Sequence, residues 1–366
     1  MESETSSTHT LDAATPVAAP AYAQQLPVLG IPVCYESDTT GVLDVVADAL
    51  GAWRSLDRAP WLVETRGVHI RIVVDDDATG GATWLGSVSD DASAEGRDDG
   101  VGEGAHKQGG DGATRPDGER PGAEGGAEEG ERRVTRVCAR RTLLEDPRQF
   151  RHGPVEAVTL ALLGRLDRAP VNAGAVGRDG TAVLLVGSSG AGRSTLLYAA
   201  ARAGLKVLSD ERVYVQTRPE QRVWGLPGTL HLPEDAASHF PELAAVPPIT
   251  LANGMSRLAL DVARLDALPE SPLARRVGVC LLRRDEGSGS EFARVHPERI
   301  MTELRETPAA REAYPDDMIS WIGRLAERGA WVLNVSAPPS GLVPRIEAML
   351  DAVLHQPAAT QRGEPT

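Results

Sequence analysis

Hydrophobic and polar residues alternate with the period of a helix in some segments and with that of a strand in others. These segments group into two predicted folded regions. In the first region the predicted elements are a strand over 28–33, a helix over 41–56, and strands over 68–74 and 134–142. These elements predict a small α+β unit that covers residues 27–153. Residues 1–26 show no periodicity and are rich in Ser, Thr, Ala and Pro, which predicts a flexible leader.

A segment without an apolar pattern separates the last two strands of this unit. Residues 87–133 are rich in Gly, Asp, Glu and Arg and have almost no large apolar side chain. Because such a segment cannot bury enough surface to offset its ordering entropy, we interpret it as a disordered insertion. An acidic docking segment is the alternative. From Asp90 to Glu131 there are thirteen acidic and four basic residues, so most of the formal net charge of -14 lies here.

The second region, residues 154–354, alternates helices and strands and predicts an α/β domain. Its predicted helices are 155–166, 194–203, 316–328 and 342–353, and its predicted strands are 171–176, 181–186, 206–209, 212–216, 223–226, 277–282 and 331–335. Residues 355–366 are predicted to be a flexible tail.

The strongest chemical signal lies between the strand 181–186 and the helix 194–203. The motif consists of Gly187, Ser188, Ser189, Gly190, Ala191, Gly192, Arg193, Ser194 and Thr195. It fits the P-loop pattern G-x-x-x-x-G-K-S/T, except that Arg193 stands where lysine is expected. Glycines let successive N–H groups point inward, and the helix N-terminus adds its positive dipole end. These nine residues therefore predict a binding site for ATP or another nucleoside triphosphate.

A P-loop also needs groups that hold the metal ion. Ser194 supplies a hydroxyl for Mg2+, and the acidic pair Asp210 and Glu211 closes the strand 206–209. If a parallel crossover places this strand beside the strand that enters the loop, the acidic pair faces the metal. Two solvated acids at a strand end are the alternative interpretation.

Residues 187–195, the short helix after them and the stretch from Val207 to Val213 resemble the catalytic domain of the HPr kinase/phosphorylase family. The resemblance covers roughly residues 170–233 and, more loosely, the chain to about 353. It implies a P-loop domain of the HPr kinase/PEP carboxykinase type. It also implies that Asp210 is the general base and that Glu211 helps to hold Mg2+.

Three positions depart from that family. Glu211 replaces a second Asp, Asn172 stands where the family usually has a His near the transferring phosphate, and Arg193 replaces the P-loop Lys. Arg193 is the largest departure because a guanidinium is broad and planar whereas an ammonium is compact. With thirty-six arginines and two lysines in the chain, drift toward arginine explains Arg193 as well as adaptation of the loop does.

The resemblance implies an ATP- and Mg2+-dependent kinase that phosphorylates a Ser or another hydroxyl on a protein, peptide or small molecule. Asp210 and Arg193 are its predicted catalytic residues. The alternative is a non-catalytic nucleotide-binding protein derived from such a kinase. Asn172 and Arg193 favour the alternative, whereas the intact glycines and Asp210 favour the enzyme.

Composition limits the kinds of partner and the cellular compartment that the sequence predicts. The chain has no basic stripe, which argues against nucleic acid, and no apolar run long enough to predict a membrane span. The cysteines, at positions 34, 138 and 280, are too far apart to predict disulfides or a metal knuckle, so a cytoplasmic location is expected. The histidines show no metal-ligand spacing and are interpreted as surface or loop residues. The oligomeric state stays open, a homo-oligomer included.

Overall fold

The computed structural model describes residues 20–51, 53, 67–75, 83–89, 133–251, 254–284 and 292–356. Most of the predicted insertion (90–132), leader (1–19) and tail (357–366) lies outside these described residues. Residues 20–164 contain β1 (Tyr22–Val28), β2 (Ile31–Ser37), α1 (Thr40–Ala49), β3 (Val68–Asp75), β4 (Thr83–Ser89), β5 (Arg133–Arg140), α2 (Arg141–Leu144), α3 (Pro147–Phe150) and α4 (Val158–Gly164). Helix α4 belongs by number to the predicted second region but packs in the core of the first.

The five strands of the first region form one sheet in the order β1-β2-β3-β5-β4. The inner pairs, β2 with β3 and β3 with β5, are parallel, and the two edge strands pair antiparallel. Strand β1 begins at Tyr22, inside the segment that was predicted as leader. Strand β4 was not predicted and extends to Ser89, into the predicted insertion. Gly86 interrupts its alternation, and its register shifts between Trp84 and Ser87.

The helix predicted over 155–166 begins earlier and is irregular. A π-helical turn runs from Arg151 to Ala157 and continues as α4. Pro154 lies inside this turn. Because proline has no N–H and its ring collides with the carbonyl one turn before it, the wider π-turn accommodates what an α-helix would not.

The second region contains eighteen further labelled elements. They are β6 (Ala169–Asn172), β7 (Gly174–Arg178), β8 (Thr181–Val186), α5 (Arg193–Arg202), β9 (Lys206–Ser209), β10 (Arg212–Gln216), β11 (Arg222–Trp224), β12 (Thr229–Leu232), β13 (Pro248–Thr250), β14 (Ser256–Asp261), β15 (Leu273–Ala274), β16 (Arg276–Arg283), β17 (Phe292–Arg294), α6 (Pro297–Glu306), α7 (Pro308–Ala313), α8 (Asp316–Ala326), β18 (Ala330–Asn334) and α9 (Pro339–Leu354).

A six-stranded sheet in the order β17-β18-β16-β8-β7-β9 forms the centre of this region. Every residue of β8 is buried, and its side chains alternate between two cores. Val183 and Leu185 face the core that includes α5 and α9, whereas Leu184 and Val186 face the core that includes α6 and α8. Because helices cover both faces, the strand is apolar from Ala182 to Val186, as in other doubly covered sheets. The chain is therefore a mixed α/β protein with several sheets.

Two details of this sheet correct the expectations from the sequence. The strand predicted over 171–176 is divided at Ala173 into β6 and β7, which belong to different sheets. Strand β9 does not lie beside β8, because β7 lies between them and pairs antiparallel with both. Strands β8 and β9 nevertheless run in the same direction, so their carboxyl ends lie at the same edge of the sheet.

The first region shares a core with a second sheet, of order β15-β11-β10-β6. Tyr214 and Trp224 from that sheet pack among the buried residues of the first region, and the Trp53 and Trp224 ring centroids lie 6.4 Å apart. The buried Arg168 donates from Nε to the carbonyl of Leu29 at 2.9 Å. These contacts hold the first region against the second.

The remaining sheet is a small antiparallel one, in the order β12-β14-β13. Its strand β12 lies close to α5 and carries a side chain of the site described below. Within the described part of the chain, no helix combines the length and the apolar character that crossing a membrane would require.

Candidate functional site

A glycine-rich loop connects the carboxyl end of β8 to the start of α5. Gly187, Gly190 and Gly192 have φ angles of 153°, 82° and 91°, which favour glycine. A Cβ on Gly187 would lie 2.8 Å from the carbonyl oxygen of Leu282, and one on Gly192 would lie 3.1 Å from Val335. Close packing therefore adds to the backbone requirement for glycine at Gly187, and Gly192 lies in tight contact with Val335.

Helix α5 begins without a side-chain cap, since its N-cap residue is Gly192. The first-turn N–H groups of a helix have no partner within the helix, and the helix dipole is positive at this end. Ser189 and Gly190 are exposed at the tip of the loop, and Ser188, Arg193 and Ser194 are half-buried. Ala191 and Thr195 are buried and pack the loop against the protein. The nine predicted residues thus divide into an accessible rim and a buried support.

The buried Tyr314 hydrogen-bonds to the first residue of the loop. This contact was not predicted from the sequence. The Tyr314 hydroxyl accepts from the N–H of Gly187 at 3.0 Å and donates to the carbonyl of Gly187 at 3.1 Å. Burial raises the pKa of Tyr314, so the hydroxyl keeps its proton. Tyr314 follows α7 and also lines a cavity of about 450 Å³ together with Arg305, Arg311, Pro315, Asp316 and Ile319.

Arg193 lies between the loop and the acidic pair. Its Cγ would be 2.9 Å from a Cβ on Gly174, so its side chain packs directly on the backbone of β7. The guanidinium lies near the Tyr314 hydroxyl, Asp210 and Glu211, and its charge lowers the pKa of all three. Its Nε is buried and has no hydrogen-bond partner among the described residues. The missing Cβ of Gly174 is what makes room for this arginine.

Asp210 is the buried acid of the site, with 5% of its surface exposed. Its Oδ2 accepts from the N–H of His231 at 2.8 Å, and Ser194 provides a side-chain hydrogen bond. Burial raises the pKa of Asp210 against these hydrogen bonds and the charge of Arg193, all of which lower it. Its Oδ1 is buried and finds no hydrogen-bond partner in the part of the chain that the structure describes.

Glu211 and His231 complete the acidic end of the site. The Glu211 side chain is mostly exposed, and its Oε1 lies 3.6 Å from Nδ1 of His231. The neighbouring His231 ring and the nearby positive charges lower the pKa of Glu211. One ligand atom from each of Asp210, Glu211 and His231 lies within 4.8 Å of the others, and we call these three residues the Asp210 cluster.

His231 corrects the interpretation of the histidines as surface or loop residues. It is half-buried on β12, between Leu230 and Leu232, which are both buried. This alternation was visible in the sequence and places His231 on the opposite side of the strand from its neighbours. What the sequence could not show is that β12 passes next to Asp210.

Asn172 lies near the acidic pair along the backbone but its side chain does not face the loop. Its Nδ2 donates to the carbonyl of Ala313 at 2.7 Å, and the N–H of the next residue, Ala173, donates to the carbonyl of Glu211 at 3.0 Å. Asn172 therefore connects β6 to the end of α7, one residue before Tyr314. It is a structural residue of the site.

Together these elements place a backbone cradle, a hydroxyl, an arginine and two carboxylates at one edge of a sheet. The hydroxyl of Ser194 and the Oδ1 of Asp210 are oxygen donors suited to Mg2+. The cradle and Arg193 are suited to a phosphate group.

Comparisons with known proteins give little beyond this geometry. No protein-family model matches the chain, and no curated protein matches it. Among solved structures, the Hpr(Ser) kinase/phosphatase from Coxiella burnetii is similar, at 14% sequence identity and a TM-score of 0.26. That match covers 50% of this chain and 93% of the other. A likeness of this strength is a weak similarity at the level of the fold.

Proposed function

We propose that the loop 187–192 and the start of α5 form a P-loop that binds ATP, or another nucleoside triphosphate, together with Mg2+. The observation that carries the proposal is the combination of the loop and the Asp210 cluster at one sheet edge. Three glycines at positive φ lead into a helix whose N-terminus has no side-chain cap. Such an end attracts phosphate through its N–H groups and its dipole.

The residues at this edge fit a magnesium ion. Ser194, Asp210 and Glu211 would hold it, and the Oδ1 of Asp210 is buried without a hydrogen-bond partner among the described residues. Mg2+ prefers oxygen ligands and binds proteins through one or two carboxylates together with phosphates. When bound, the ion would neutralise charge on the terminal phosphates.

We further propose that the protein is a kinase and that Asp210 is its general base. The oxygen of an acceptor hydroxyl would form a bond to the γ-phosphorus, and the bond from that phosphorus to the β,γ-bridging oxygen would break, releasing ADP. The hydroxyl proton would pass to the carboxylate of Asp210.

Arg193 would take the part that lysine has in other P-loops. Its packing on Gly174 holds the side chain beside the loop, with the guanidinium near Tyr314. An arginine carries its charge at every physiological pH and forms charge-assisted hydrogen bonds to phosphate. The buried Nε, which has no hydrogen-bond partner among the described residues, supplies a donor for such a bond.

A non-catalytic nucleotide-binding protein is the second candidate, and one observation favours it. The amide of Asn172 donates to Ala313 and does not face the loop, so this position offers no acid or base to a transferring phosphate. If no acid or base near the phosphate assists the reaction and Asp210 only holds the metal, the chain binds nucleotide without turning it over.

Calorimetry and a turnover assay test both candidates. The purified chain is titrated with ATP in the presence and absence of Mg2+, and ADP formation is followed with candidate hydroxyl acceptors. Mg2+-dependent binding with ADP formation supports the kinase, and binding without ADP formation supports the second candidate. An absence of binding at millimolar ATP would contradict both.

A further inference from the structure

A second cluster of side chains lies on the first region, away from the loop. Cys34 and Glu36 are two residues apart on β2 and therefore point to the same side of the sheet. His69 on β3 is the direct register partner of Cys34. One ligand atom from each of the three lies within 4.8 Å of the others, and we call them the Cys34 cluster.

The cluster lies on the side of the sheet opposite to the core of the first region. Tyr35 and Ile70, the neighbours of Cys34 and His69 in sequence, point into that core and are fully buried. Cys34 is itself 7% exposed, whereas Glu36 and His69 are half-buried. The thiol is therefore sheltered, and the other two groups remain accessible to an ion from solvent.

We propose that the Cys34 cluster is a binding site for a zinc ion, with the Cys34 thiolate, a ring nitrogen of His69 and the Glu36 carboxylate as ligands. Thiolate, imidazole and carboxylate are the three protein groups that Zn2+ binds. Mg2+ and Ca2+ require oxygen ligands and would not select this set. Three protein ligands leave the fourth tetrahedral position for water or another ligand.

The distances fit with small side-chain adjustments. Ligand atoms about 2.0–2.3 Å from a tetrahedral zinc lie roughly 3.3–3.8 Å from one another. The Sγ of Cys34 donates to Oε1 of Glu36 at 3.9 Å, so this pair is already close to the required separation. Zinc would replace the thiol proton between these two atoms, and binding would release that proton.

The scaffold holds the ligands in place. Strand β2 pairs with β1 and β3, and β3 pairs with β2 and β5, so both ligand-bearing strands lie in the interior of the sheet. The thiolate and the carboxylate together balance the charge of Zn2+. Arg71 lies two residues after His69, on the same side of β3. Its guanidinium lies 3.7 Å from the carboxylate of Asp38, and this acid offsets the positive charge of Arg71 beside the site.

Cobalt substitution tests this site and separates it from the Asp210 cluster. The full chain is treated with a chelator and then titrated with Co2+ and, in parallel, with Zn2+. We expect one zinc per chain, and a cobalt complex with a thiolate-to-metal charge-transfer band that zinc abolishes. Only a site with a cysteine ligand gives that band, and the Asp210 cluster has none.

Matched variants assign the ligands. Cys34→Ser and His69→Gln should each weaken zinc binding by more than about 100-fold, since removing even an outer-shell partner of a metal ligand costs 10–100-fold. Cys138→Ser is the control, because Cys138 lies on the same side of the sheet on β5 and belongs to neither cluster. Asp210→Asn should leave the cobalt band unchanged.

Two results would overturn the site. One is a wild-type chain that shows no thiolate-to-cobalt band, a measurement that depends on no variant. The other is zinc binding that is the same in wild type and in a folded His69→Gln variant. Circular dichroism of each variant establishes that it is folded before its affinity is compared.

Discussion

The Asp210 cluster and the Cys34 cluster contain similar groups but are built in different ways. In the Asp210 cluster an acidic pair at the end of β9 meets a histidine from a strand of another sheet. In the Cys34 cluster all three residues come from two adjacent strands of one sheet. The first adjoins the glycine-rich loop and Arg193, whereas the second lies on a sheet face, where Arg71 is the register partner of Glu36.

The difference shows how the surroundings of a cluster select its ligand. Asp210 and Glu211 offer oxygen atoms beside a helix N-terminus, which suits a hard cation that arrives with phosphates. Cys34 and His69 offer sulfur and nitrogen on a sheet face, which suits zinc. A change in one cluster should therefore leave the ion of the other in place.

The largest expected effect is the loss of turnover on removing the proposed base. Asp210→Asn keeps the shape of the side chain and can still accept the His231 N–H, but it cannot take up a proton. If the chain is a kinase, kcat should fall by roughly 10²- to 10⁴-fold, and the affinity for ATP should stay within a few-fold. Turnover and calorimetry on the same preparation provide the measurement.

Cys138→Ser is the matched control for that experiment, because it lies in neither cluster. Its turnover and its zinc content should equal those of the wild type. Turnover that survives Asp210→Asn unchanged would refute the proposed role of Asp210, whether or not nucleotide binds.

The next effect is the loss of nucleotide binding when the loop is distorted. Gly192→Val places a branched side chain at a φ of 91° and within 3.1 Å of Val335. The loop must then change its shape, and ATP binding at millimolar concentration should disappear. Calorimetry with ATP and Mg2+ measures it, and zinc binding at the Cys34 cluster should be unaffected.

Gly204→Val provides the control, because Gly204 lies just after the other end of α5 at a φ of 92°. It imposes the same backbone strain away from the loop, and no described atom lies within 4 Å of its added Cβ. We expect a comparable loss of stability with ATP binding retained. Equal loss of binding in both variants would mean that Gly192 acts through stability alone.

A smaller effect is expected from the tyrosine beneath the loop. Tyr314→Phe leaves the N–H and the carbonyl of Gly187 without the hydroxyl that serves both. Such buried hydrogen bonds contribute about 1–2 kcal/mol, so ATP affinity should fall roughly 10-fold. Tyr198→Phe is the control, because the Tyr198 hydroxyl on α5 donates to Glu242 and not to the loop. An equal effect of both substitutions would contradict the role of Tyr314.

The elements around the loop could be predicted because their signals are local. The bounds of β8, β9 and β10 agree with the predicted strands, since each is a short run of apolar residues ended by polar ones. The division at Ala173 was not predicted, because it involves pairing with distant parts of the chain. At this point the Ala173 N–H donates to the carbonyl of Glu211, 38 residues away.

For the candidate site, the sequence could suggest only the parts that lie close together along the chain. The loop and the acidic pair are close in sequence, so one motif suggested both. Tyr314 and His231 lie near the loop but come from distant parts of the chain, and no sequence pattern around either residue indicates this position. The cysteines were judged by their spacing from one another, which hides a cluster that pairs one Cys with Glu and His across two strands.

The smallest expected effect is on stability, measured without Mg2+ or nucleotide. It distinguishes the two acidic residues of the Asp210 cluster. Burial raises the pKa of Asp210, so its charge destabilises the folded chain above the ordinary carboxyl pKa, and this loss disappears as pH falls. Asp210→Asn should therefore raise the melting temperature at pH 7, with no gain near pH 3.

Glu211 gives the opposite sign and completes that test. Its pKa is lowered, chiefly by His231, so its charge stabilises the folded chain above the ordinary carboxyl pKa, and this contribution is lost as pH falls through the lowered value. Glu211→Gln should lower the melting temperature at pH 7 by a small amount, since the group is mostly exposed. Thermal unfolding of both variants and the wild type at pH 7 and at pH 3 provides the measurement. Shifts of the same sign at pH 7 would contradict the assignment of a buried, destabilised acid beside an exposed, stabilised one.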